Sequence, residues 1–122
     1  MNRSKIIYIA AATALLLIFI LTFRPIVNPK MDQCSKYSGI LLKAKSDSVN
    51  KDIYFRLDNT EIRFYINRGL ENGLTDSTMD TLIGKEIVVF AVNHWSLLNP
   101  SGKIKHVARV DYGSLTIYSE FE

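Results

Sequence analysis

With 15 Lys plus Arg, 12 Asp plus Glu and one cysteine in 122 residues, the chain has room for a single small domain and cannot rest on internal disulfides. Its net charge of +3 invites a nucleic-acid reading, but four of the cations (Arg3, Lys5, Arg24 and Lys30) precede the first acid, Asp32. Beyond that point 11 cations face 12 anions, so the domain lacks the basic balance of a general nucleic-acid binder, and nucleic acid is not expected among its partners.

Residues 6–23, IIYIAAATALLLIFILTF, carry no charge. At about 1.5 Å per residue they reach roughly 27 Å as a helix, close to the hydrocarbon thickness of a bilayer. Eleven of the eighteen are Leu, Ile or Phe, which together favour insertion by roughly 3 to 7 kcal/mol. The pattern predicts a single-pass transmembrane anchor over 6–23 behind a cytoplasmic tail of residues 1–5. Arg3, Lys5 and the amino terminus, three charges against Arg24 and Lys30 on the other flank, favour an amino terminus inside by the positive-inside bias, and so a domain expected on the extracytoplasmic side of the cell membrane. Cleavage is disfavoured: the small-residue site Ala12-Thr13-Ala14 lies within the apolar run, and Arg24-Pro25 follows it. The lipid bilayer is therefore the first expected partner.

Pro25, Asn28 and Pro29 end the helix and make residues 24–33 a short stalk, with the domain predicted over 34–122. Cys34, at the start of the domain, reads as a linker thiol, with pairing between chains as the alternative. Residues 37–44, YSGILLKA, suit a first strand, with Gly39 marking a bulge or coil, and the turn formers of 45–51 suit a loop.

Residues 52–58 and 61–67 alternate strictly, with Ile53, Phe55, Leu57 and then Ile62, Phe64, Ile66 on one face. A hairpin pairing residues whose numbers sum to 119 puts all six on the same side, and a slip of one residue would undo this. The register also sets the outer face, where Tyr54 opposes Tyr65, Arg56 opposes Arg63 and Asp58 opposes Glu61. After the turn at 68–73, a short helix is predicted with Thr75 or Asp76 as cap, Met79, Leu82 and Ile83 as its apolar face and Gly84 as its stop. Residues 86–92, EIVVFAV, predict a strand covered on both sides. A loop over 93–103 and strands at 105–111 and 115–118 complete the chain.

This order, three strands, a short helix and further strands with LIGKEIVVF at the helix exit, resembles the OB-fold. The fold class implied is mainly β, an OB-like five-stranded barrel with one short helix, preceded by one transmembrane α-helix. In that fold the outer face of the second and third strands is the usual ligand platform. Tyr54, Arg56, Arg63 and Tyr65 are therefore the candidate ligand-binding residues, with Trp95, in the loop after the strand at 86–92, as a fifth.

No phosphate-binding glycine loop, H-E-x-x-H, C-x-x-C or G-x-S-x-G occurs, and His94 and His106 would make a site only by meeting a carboxylate in one cleft. No catalytic residue or metal ligand is predicted, and no enzymatic activity is expected. In architecture the chain also resembles membrane-anchored haem chaperones, but residues 106–112, HVARVDY, do not reproduce their histidine motif, so no cofactor is expected. The expectation is an anchored binding or interaction module whose partner is another envelope or membrane protein, or an extracellular polymer. The alternative is an accessory subunit acting through its transmembrane helix.

Overall fold

The computed structural model describes residues 2–23, 29–93 and 97–121. Helix α1 spans Arg3–Thr22, capped by Asn2, whose side chain accepts from the Lys5 amide. It is apolar on every face, long enough to cross a membrane, and none of its residues is buried against the rest of the chain.

The six strands are β1 (Cys34–Ser46), β2 (Ile53–Leu57), β3 (Arg63–Ile66), β4 (Glu86–Val92), β5 (Ile104–Tyr112) and β6 (Leu115–Ser119), with helix α2 (Asp76–Leu82) between β3 and β4. They form one sheet in the order β3-β2-β1-β4-β5-β6, and a parallel β3–β5 pairing closes the first five into a barrel. The fold is the predicted OB-like barrel. β6 pairs with the second half of β5, along the edge whose first half is taken by β3.

β1 is longer than the predicted 37–44 because it serves both halves of the barrel. Cys34 to Ile40 pair with β4 and Leu41 to Ser46 with β2. The irregularity falls between Leu41 and Lys43 rather than at Gly39. Gly39 is needed for another reason: a Cβ there would stand 2.7 Å from Asn59 Oδ1.

The hairpin adopts the predicted register, with Ile53 opposite Ile66, Tyr54 opposite Tyr65 and Phe55 opposite Phe64. Its apolar side points inward, and Ile53, Phe55, Leu57, Phe64 and Ile66 are all buried. The ladder ends sooner than alternation suggests: Arg56 does not pair with Arg63, Leu57 does not pair with Ile62, which is only half-buried, nor does Asp58 pair with Glu61. The loop is drawn instead to β1. Asp58 exchanges backbone and side-chain hydrogen bonds with Ile40 at 3.0 and 2.9 Å, and Asn59 Nδ2 donates to Ser38 O at 2.6 Å. These bonds satisfy the β1 backbone, which β2 no longer pairs past Leu41.

Helix α2 is capped by Thr75, whose hydroxyl accepts from the Thr78 amide, and Met79 and Leu82 seal one end of the core. Ile83 does not join them. It has already left the helix with ψ of 132° and is 43% exposed. Gly84 follows at φ +83°, the left-handed conformation glycine adopts without steric cost, and its amide donates to Leu41 O. β4 also departs from expectation: Ile87, Val89 and Ala91 are core residues, whereas Val88 and Phe90 on the other side are only half-buried.

Candidate ligand-binding face

Alternation along β2 and β3 sends their polar residues outward, and the register then aligns them in two rows. Lys45, Tyr54, Tyr65 and His106 are successive cross-strand neighbours on β1, β2, β3 and β5. Lys43 opposes Arg56 in the second row, and Arg63, two residues before Tyr65, completes it from β3. Four of the five candidate residues therefore share one surface. Trp95, the fifth, lies outside the described residues, as does His94.

The structure gives the tyrosines and the cations different tasks. Arg63 lies over the Tyr54 ring, its guanidinium carbon 4.4 Å from the centroid, a cation–π contact that holds it against that ring. Tyr54 and Tyr65 are tilted together with centroids 6.2 Å apart, and Tyr65 meets the His106 ring edge-on at 5.4 Å. The Tyr54 hydroxyl donates to Asp52 Oδ2 and accepts from Asn50 Nδ2. Burial pushes the Tyr65 hydroxyl pKa up, helped by Asp52, Tyr54 and Glu120. The two rings are thus engaged with protein neighbours.

What remains open is cationic. A cleft of about 320 Å³ is lined by Lys43, Ala44, Lys45, Tyr54, Phe55, Arg56 and Arg63, and among the described residues no acidic side chain lines it. Among the described residues none of these four cations forms an ion pair, and Arg56 Nε is buried without a hydrogen-bond acceptor. Lys43 and Lys45 were missed in the sequence because strict alternation from the core-facing Leu41 would turn them inward, and only the irregularity between Leu41 and Lys43 brings them to the outer face.

A second polar cluster lies where β6 covers β5. His106 Nε2 is 2.7 Å from Glu120 Oε2, and the Tyr118 hydroxyl donates to Glu120 Oε1 at 2.6 Å. His106 is buried on the outer side because the end of β6 covers it, and the Glu120 amide, bonded to Ala108 O, fixes that end. Both Glu120 oxygens are occupied, so the cluster acts as a latch for the carboxyl-terminal strand. Among the described residues no group of three or more His, Cys, Asp and Glu could hold a metal ion.

No protein-family model matches the chain, and no curated protein matches it significantly. Function must therefore be read from the geometry of the chain itself.

Proposed function

We propose that this protein is a membrane-anchored binding module whose partner sits on the outer β1–β2–β3 face of the barrel, outside the cytoplasm. The observation that carries the reading is the set of four uncompensated cations, Lys43, Lys45, Arg56 and Arg63, gathered on one face of a domain whose remaining charges over 34–122 are 7 cations and 11 anions. Like charges on neighbouring strands destabilise a sheet unless something offsets them, and among the described residues only the Tyr54 ring beneath Arg63 does so. An anionic partner supplies the rest. Helix α1 supports the anchor: a helix apolar on all sides and unburied by its own domain finds a matching solvent in lipid. The cations flanking the apolar run, Arg3 and Lys5 before it, favour a cytoplasmic amino terminus. The partner class is an envelope protein with an acidic surface or an anionic extracellular polymer.

The competing reading is an accessory subunit that works through α1. Photo-cross-linkers placed at Lys45 and, separately, at Leu15 in intact cells distinguish the two. The binding module yields a product at Lys45 that disappears when Arg56 and Arg63 are both changed to Gln. Products at Leu15 alone would favour the accessory subunit.

A further inference from the structure

The binding reading can be taken one step further, to the chemistry of the ligand, and the step rests on that reading. We infer that the cleft between Lys43, Arg56 and Arg63 receives the phosphate of a soluble phosphomonoester or of a phosphorylated group on a larger partner.

The charge count comes first. Two guanidiniums and two ammoniums line about 320 Å³ with no carboxylate among them. A carboxylate ligand brings one charge and two oxygens, which a single guanidinium satisfies with its paired N–H donors. The second arginine and both lysines would then stay uncompensated. A phosphomonoester brings a charge of about −1.5 to −2 and three strong acceptor oxygens. That matches two forks that line one cleft from adjacent strands.

Geometry also disfavours a ligand recognised mainly by ring stacking. The Tyr54 face is covered by Arg63, and Tyr65 lies between Tyr54 and His106. The cleft is therefore read by charge and hydrogen bonds. Among the described residues the Arg56 Nε donor has no acceptor, whereas Arg63 is held in place by the ring below it. An oxyanion entering between them gives Arg56 the acceptor it lacks.

The source of the phosphate follows from the course of β1. Cys34 opens the strand where the stalk delivers the chain, and Lys43 stands nine residues further on, up to about 30 Å away at some 3.3 Å per residue. The cleft lies toward the far end of the strand from the anchor, which favours a soluble or partner-borne phosphate over a lipid headgroup.

The test uses the full chain in neutral phosphatidylcholine nanodiscs, titrated with glycerol phosphate, inorganic phosphate, acetate and dimethyl phosphate at matched ionic strength. Binding is followed by the backbone amide shifts of residues 43–45, 54–56 and 63–65. The expected result is saturable binding of glycerol phosphate and inorganic phosphate about tenfold or more tighter than acetate or dimethyl phosphate. Arg56→Gln and, separately, the exposed Arg63→Gln should each weaken it by about tenfold or more. The Arg63 variant keeps the test decisive if the Arg56 variant folds poorly. Equal binding of acetate, or phosphate binding that both variants retain, would overturn the inference. Loss of glycerol phosphate affinity in discs containing phosphatidic acid would overturn the soluble source and assign the same chemistry to a headgroup. If the Arg-dependent cross-link at Lys45 persists while phosphate fails to bind, the phosphate inference falls and the binding module stands.

Discussion

Truncating Phe55 to Ala removes one ring of the stacked pair at the centre of the barrel. Phe55 is 1% exposed and Phe64 fully buried, with ring centroids 5.4 Å apart and planes inclined by 22°. Tyr37 meets Phe64 edge-on from β1 at 5.3 Å, so the surrounding shell is aromatic and cannot collapse easily into the space left behind. Loss of a buried phenyl group costs about 3 to 5 kcal/mol, and the ring pair adds about 1 kcal/mol. A barrel of this size holds roughly 5 to 13 kcal/mol in all. The variant should therefore lose a large share of its stability. Pulse proteolysis of the full chain in nanodiscs across a urea series should show the midpoint falling by about 2 M. Arg56→Ala, one position along and on the outer face, should cost less than about 1 kcal/mol. If the two variants shift the midpoint equally, the assignment of inner and outer faces is wrong.

Gly39→Ala should destabilise the barrel by about 1 to 3 kcal/mol by pushing Asn59 and Asp58 off the β1 backbone, and Asn59→Ala should relieve part of that cost when the two are combined in a double-mutant cycle. Burial raises the pKa of the Tyr118 hydroxyl, reinforced by its hydrogen bond to Glu120 and by that carboxylate's charge. The folded state thus favours the neutral phenol, a contribution complete below the unfolded value of about 10 and lost as pH rises toward the folded one. Urea midpoints measured between pH 8 and 11 should fall at the alkaline end, and less steeply in Tyr118→Phe. Burial, followed by the charges of Glu120 and Asp32, raises the Cys34 thiol, so iodoacetamide should alkylate it more slowly at pH 8 than it alkylates the same cysteine in the urea-unfolded chain.

Local patterns carried much of the fold. Alternation in residues 53–57 and 63–66, together with the short connection between them, was enough for the hairpin register, because a one-residue slip would turn one strand's apolar side outward. Thr75 and Gly84 marked the helix through capping chemistry that operates within a few residues. What could not be read depends on distant partners. The hairpin turn opens early because Asp58 and Asn59 bond to β1 about twenty residues away, and the parallel β3–β5 closure has no local signature. The site divides in the same way. Arg56 and Arg63 were visible from the hairpin, but the lysines joined them only through the β1–β2 register, and the engagement of Tyr65 needed His106 from β5.

The proposal that the cationic barrel face, and not the helix, contacts the partner is tested most directly by exchanging residues 6–23 for an unrelated leucine helix of equal length and repeating the Lys45 cross-link in cells. The proposed module retains the cross-linked product with the exchanged helix and loses it when Arg56→Gln and Arg63→Gln are added. A product abolished by the helix exchange and indifferent to both arginines would contradict it.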